Sequence, residues 1–168
     1  GTPKHSIKVT AKVLVLAAGA LDSAALLMRS NLPNRNDVLG SRFFCHPTIY
    51  LASSYEHPVN VAYGIPQSAT VDFFNIDDLG SGYKLEAGPA FPGLAGLAAP
   101  GFGTSHKEFM ANHPNFAVHI VLARDRTPHA SIGVRDNGLP SVDYYLSDVE
   151  KRTLRHGLKN LAKLNFEA

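Results

Sequence analysis

The run Val13-Leu14-Val15-Leu16-Ala17-Ala18-Gly19-Ala20 restricts what this chain can fold into more than any other stretch. Val13 to Leu16 is short and wholly apolar, as expected of a strand buried on both faces of a layered α/β sheet. It gives way to residues with almost no side chain, where a backbone can approach a ligand or another element closely. Asp22 then stands where a helix N-cap is expected, ahead of the helix-forming segment Ser23 to Ser30, which Leu32-Pro33-Asn34 stops. A strand, a small-residue turn and a helix N-terminus form the place where open α/β sheets hold ligands, anions above all. The same wording also suits an ordinary packing turn, because no G-x-G-x-x-G is present.

The wording from Leu16 to Ser30 resembles a signature of the glucose-methanol-choline oxidoreductases, which reads roughly A-A-G-A-x-x-S-P-x-L-L-x-x-S-G. Leu39-Gly40-Ser41-Arg42-Phe43-Phe44-Cys45-His46-Pro47 resembles that family's V-G-x-x-L-x-x-H-P segment. Asp125-Arg126, Gly133-Val134, Gly138-Leu139-Pro140 and Tyr144-Tyr145-Leu146-Ser147 follow in the order the family uses ahead of its last catalytic segment. Ala24 departs from the pattern where a proline is usual, as does Asn31-Leu32-Pro33 where a glycine-flanked turn is usual.

The resemblance implies an α+β fold: an antiparallel sheet with helices packed on one side, preceded by a Rossmann-type strand-helix remnant. It implies two parts, residues 1–46 as the remnant of an FAD-binding domain and 47–168 as the substrate-binding domain. Ala17, Ala18, Gly19 and Ser23 fall on the motif positions that line FAD. The implied reaction of the parent is oxidation of an alcohol to an aldehyde or ketone with hydride transfer to flavin. Phe73, Phe91 and Phe102 are the expected substrate-pocket residues, and their apolar character points to a hydrophobic alcohol. Two requirements of that chemistry are absent from these residues: a G-x-G-x-x-G to seat the pyrophosphate and a C-terminal segment carrying the catalytic histidine. The chain is therefore expected to be an internal segment of a longer protein, inactive by itself. The competing reading is a freestanding binding module derived from such a domain.

Composition excludes several other classes. Of the 168 residues, 45% are hydrophobic and 18% charged, and no apolar run approaches the roughly 18–20 residues that cross a bilayer. A net charge of +2 gives no footprint for nucleic acid. Cys45 is the single cysteine, so no internal disulfide can form and compartment is left open. Among the eight histidines, His46, His57 and His113 precede prolines and His129 follows one, with no H-x-x-x-H or other ligand spacing. Cys45 and His46, adjacent on extended chain, point to opposite faces and chelate poorly. Ser23 is outside any G-x-S-x-G elbow, which removes the hydrolase reading. His119, in mid-strand, lacks a visible orienting partner and reads as a packed residue.

Strands are expected over 6–13, 48–52, 70–74, 83–87, 115–123, 130–134 and 141–144, from alternation or β-branched and aromatic content. Asp136-Asn137-Gly138 is a hairpin turn and Thr127-Pro128 a second turn. Capping boxes at Ser105/Glu108 and Ser147/Glu150 predict helices, the second the longest, with Leu154, Leu158, Leu161 and Ala162 on one face. Residues 89–103, rich in Gly, Ala and Pro, predict an apolar loop or a loosely helical piece over a pocket. Asp125-Arg126 reads as a solvated turn or local ion pair. An apolar segment at Val13 to Leu16 without its sheet invites self-association. The isolated chain is therefore expected to form dimers or larger species, and a strict monomer at high concentration in light scattering would contradict this.

Overall fold

Alternation in two adjacent strands builds the centre of the fold. In the computed structural model, which describes residues 7–65, 67–78, 80–126 and 130–168, β3 (Tyr83–Gly88) lies antiparallel to β4 (Phe116–Ala123). Their register pairs Leu85 with Val121 and Tyr83 with Ala123. Odd-numbered side chains of both strands consequently share one face, and that face is buried. β1 (Thr48–Ser54) flanks β4 and β2 (Thr70–Phe73) flanks β3, giving a fully antiparallel sheet in the order β1-β4-β3-β2. Each of the four strands lies where residue pattern predicts it, within one or two residues. The sheet belongs to a compact unit made of Phe44–His129 and Tyr145–Ala168.

The helix α4 (Asp148–Glu167) covers the odd-numbered face, touching β1, β3 and β4. Its start is the expected capping box: the Ser147 hydroxyl accepts from the Glu150 N–H at 3.4 Å, and the Ser147 N–H donates to Glu150 Oε2 at 3.0 Å. Leu154 and Leu161 enter the core formed by Tyr83, Leu85, Val121 and Ala123, while Leu158 is half-buried beside it. Val121 and Leu161 are wholly buried, each contributing about 1.5–3 kcal/mol relative to exposure. The approach is closest at Gly157, where an added Cβ would collide with Val121 Cγ1 and press on the Tyr83 ring at 3.2 Å. The Tyr83 hydroxyl accepts from Asn160 Nδ2 at 2.7 Å and lies 3.1 Å from His156 Nδ1. Burial raises the Tyr83 pKa, an effect that the Asn160 bond opposes.

Residues 89–103 contain a short helix, α2 (Pro92–Ala98), followed by α3 (Thr104–Ala111). The loosely helical expectation holds here, with Pro92 at the first helical position. The capping box expected at Ser105 does not form. α3 begins two residues earlier, behind Gly103 at φ 64°, and the Ser105 hydroxyl donates to the Phe102 carbonyl at 3.1 Å instead. Glycine takes that left-handed conformation without a Cβ penalty, so the turn is set by backbone freedom rather than by a side-chain cap.

Gly1–Phe43 and Ala130–Tyr144 make the second unit. It contains α1 (Gly19–Arg29) and a hairpin of β5 (Ala130–Val134) with β6 (Pro140–Tyr144). The expected Asp136-Asn137-Gly138 turn closes the hairpin: Gly138 has φ 82° and its N–H reaches the Arg135 carbonyl at 2.8 Å. The Arg29 guanidinium donates to the Gly138 carbonyl, and the Ile132 N–H to the Gly40 carbonyl at 2.7 Å. α1 differs from expectation at its start. It begins at Gly19, its N-cap is Ala18 without a side-chain bond, and Asp22 lies within the first turn.

The buried strand expected at Val13 to Leu16 does not form, nor does the alternating strand leading to it. Val13, Leu14 and Val15 are 77–86% exposed. An apolar strand of this kind needs ladder partners, and none pairs with it among the described residues. Ser6, at the start of the expected strand, and the Thr127-Pro128 turn with His129 lie outside the described residues.

His119 sits on the α4 side of β4, opposite Leu51 and Ala87. Its Nδ1 is buried and, among the described residues, has no hydrogen-bond partner. Desolvation lowers its pKa below the ordinary value of 6.5. The unfolded chain therefore binds a proton as pH falls through about 6.5 while the folded chain does not yet, and stability declines over that window. His119→Leu should shrink the loss of stability between about pH 7 and about pH 5 in urea titrations; an unchanged slope would refute this. Gly157→Val should cost about 2 kcal/mol through overpacking, while Lys159→Ala stays within about 0.5 kcal/mol. Equal midpoints for the two variants in urea denaturation would show that α4 does not approach so closely.

Candidate functional site

The turn ahead of α1 is open. Ala17, Ala18 and Gly19 are exposed and carry no bulky side chain. Gly19 has φ +77°, and an added Cβ would meet nothing within 4 Å, so glycine is favoured there by conformation rather than crowding. The Ala18 N–H donates to the Ser23 hydroxyl at 3.2 Å, which ties the turn to the second turn of the helix. α1 has no side-chain cap, so its first N–H groups face outward, as in helix termini that receive anions. Asp22 in that first turn opposes a full negative charge at the same end. The structure brings all four residues of the sequence expectation, Ala17, Ala18, Gly19 and Ser23, into this one turn.

The three expected pocket phenylalanines are not brought together. Phe73 stacks on Tyr83 with ring centroids 4.8 Å apart and an interplanar angle of 23°, at the start of β3. Phe91 follows the opposite end of that strand, as the residue preceding α2, and is 43% exposed. Phe102 is 91% exposed beyond α2. A six-residue strand is about 20 Å long, so Phe73 and Phe91 serve different ends of the sheet.

A cavity of about 300 Å³ is bordered by the end of β2 at Phe73. Its lining comprises Phe74, Gly82, Lys84, Glu86, Leu122 and Arg124, with His46 and the edges of Tyr83 and Ala123. Lys84, Glu86 and Leu122 are the even-numbered positions and so belong to the sheet face that α4 does not cover. Close backbone approach requires glycine at Gly82, since a Cβ there would stand 2.6 Å from the carbonyl oxygens of both Phe73 and Phe74. Lys84 Nζ is 3.7 Å from Asp72 Oδ1, both groups partly exposed, a pair of small energetic weight.

The walls are fixed by the segment that leaves β4. The Arg124 N–H extends the ladder to the Gly82 carbonyl at 2.9 Å. The Nη2 group of Arg124 donates to the carbonyls of Phe74 and Gly80 at 2.9 and 2.6 Å, and Arg126 Nη1 donates to the Gly80 carbonyl at 2.7 Å. Asp125 Oδ2 accepts from the Cys45 N–H at 2.7 Å. The expected solvated turn or ion pair at Asp125-Arg126 is instead a set of bonds from charged side chains to backbone. Sequence reasoning missed Arg124 and Lys84, because a charged residue at a strand end carries no mark of what it will face. The notable signal was the bare Gly80-Ser81-Gly82 opposite Arg124-Asp125-Arg126, which becomes readable once strand pairing is known.

No group of three or more His, Cys, Asp or Glu side chains suited to a metal occurs among the described residues, and no described helix is long and apolar enough to cross a membrane.

Residues 1–48 match the sequence model of the GMC oxidoreductase family. Uncharacterized GMC-type oxidoreductases from two strains of Mycobacterium tuberculosis are each 31% identical to the chain over 163 residues. Those alignments cover 97% of the chain and 25% of the relative, so the chain spans about a quarter of the length of the curated relatives it matches. Residues Leu16 to Ser30 and Leu39 to Pro47, which carry the family's motifs, lie inside the matched segment. With its first part matched to the family and nearly all of it aligned to the mycobacterial proteins, the chain belongs to the GMC oxidoreductases.

Proposed function

We propose that this chain is the segment of an FAD-dependent alcohol oxidoreductase that joins the cofactor domain to the substrate domain, divided at residues 46 and 47. The parent reaction would convert the CH–OH group of a hydrophobic alcohol to a carbonyl. The observation that carries this reading is the turn from Ala17 to Ser23: an exposed backbone edge without bulky side chains, stapled by Ser23, at an uncapped helix N-terminus. Those features fit contact with a flat or extended part of FAD. They do not fit its pyrophosphate, for which the chain lacks the glycine-rich cradle and where Asp22 would add like charge. When bound, FAD would supply the hydride acceptor. Ala17, Ala18 and Gly19 would leave room for it, and Ser23 would hold the turn in shape.

On the substrate side, the apolar character of Phe91 and Phe102 supports a hydrophobic alcohol, while the Phe73 ring stacks on Tyr83 on the core side of the sheet. Phe91 and Phe102, exposed at the other end of the sheet, remain available to a different part of the parent's pocket. His119, half-buried in β4 and with no hydrogen-bond partner for its Nδ1 among the described residues, lacks the orienting partner of a hydroxyl base.

The 168-residue chain is expected to show no saturable FAD binding in the micromolar range, followed by flavin fluorescence and thermal stability. The full-length parent is expected to reduce its flavin with a fatty alcohol and not with a free sugar. Tight FAD binding by the isolated chain would instead favour a freestanding module. Flavin reduction by the sugar alone would overturn the hydrophobic-alcohol assignment.

A further inference from the structure

We propose that the cavity on the sheet face opposite α4 binds small organic carboxylates with an apolar body, a property that stands apart from the redox reading. Size comes first: about 300 Å³ is at the lower end of small-molecule sites. Shape follows from the lining, in which Phe74 and Leu122 stand with the side-chain-free backbone of Gly82. Those two apolar groups provide the contact for a ring or a short chain.

Charge is arranged along the cavity. Register places Gly82, Lys84 and Glu86 successively on one strand, with Arg124 bonded across to Gly82 and Leu122 opposite Lys84. Cationic groups therefore occupy one end and Glu86 the other. Glu86 is reached by Gln67 Nε2 at 3.4 Å and keeps its carboxylate at that far end. An anion is drawn to the Arg124 end and repelled from the Glu86 end, so the charges set orientation as well as affinity.

Arg124 is preorganised for the task. Both of its recorded side-chain bonds use Nη2, which anchors the guanidinium to the carbonyls of Phe74 and Gly80. Nε and Nη1 retain N–H donors on separate edges of the guanidinium, each able to give a carboxylate one charge-assisted bond. No described carboxylate lies within ion-pair distance of it. Lys84 adds positive charge, moderated by Asp72 at 3.7 Å.

Saturation-transfer NMR and calorimetric titration of the 168-residue chain with phenylacetate, phenylacetamide and phenethylamine test the proposal. Phenylacetate should bind saturably, with the neutral amide about tenfold weaker or worse, as expected when a charge-assisted hydrogen bond is lost, and the amine weakest. Leu122→Trp, which fills the cavity, should abolish binding. Arg124→Gln should erase the preference for acid over amide. If Arg124→Gln disturbs its loop, Lys84→Gln, which leaves the backbone anchors intact, should still weaken phenylacetate several-fold relative to the amide. Equal affinity for acid and amide, preference for the amine, binding that survives Leu122→Trp, or no binding of any probe would each overturn it.

Discussion

The contact of α4 with the odd-numbered face of β3 and β4 is the interaction on which the larger unit depends. Its closeness rests on Gly157, the point where the helix backbone meets Val121 and the Tyr83 ring without an intervening side chain. The helix carries a glycine at a place where propensity argues against one, and tertiary packing overrides that preference. Ser147 and Glu150 fix where the helix begins, and hence which residues of its next two turns meet the sheet. Leu154 and Leu161 then fall into register with Leu85 and Val121 by the helical repeat.

Covering one face leaves the other to function. Even-numbered residues of the same strands carry Lys84, Glu86 and Leu122 toward the cavity. A two-residue period thus divides a strand between stability and recognition, so that Tyr83 is core while its neighbour Lys84 is rim. The loops beyond the strand ends are held by charged side chains of one segment bonded to backbone, Arg124 and Arg126 to the carbonyls at Phe74 and Gly80 and Asp125 to the Cys45 N–H. Such bonds contribute more than neutral ones, and they give loop walls a fixed position that apolar contact alone would not.

Within the smaller unit, the turn at Ala17 to Ser23 carries the family's wording and leads directly into α1, while the strand ahead of it does not form. The contrast has a simple origin. A helix satisfies its hydrogen bonds within its own segment, so α1 forms from local sequence with help from Ser23 and Arg29. A strand must borrow partners, and among the described residues Val13 to Leu16 has none. The family assignment, resting on residue identities in that same region, does not depend on the strand being paired.

Much was legible in the residues themselves. β-branched and aromatic content with bounding turn residues located β1 to β6 to within a residue or two, the Ser147/Glu150 spacing gave the start of α4, and Asp136-Asn137-Gly138 gave the hairpin, because each is governed by contacts close along the chain. The motif from Leu16 to Ser30 identified the family for the same reason. Other features were decided by tertiary structure alone: that Phe73 and Phe91 part company, that Ser105 does not cap its helix, and that Arg124 reaches back across Gly80 and Phe74. Those depend on strand order and loop path, where residues some 40–50 positions apart meet. Spacing in sequence says nothing about such meetings until the order β1-β4-β3-β2 is known.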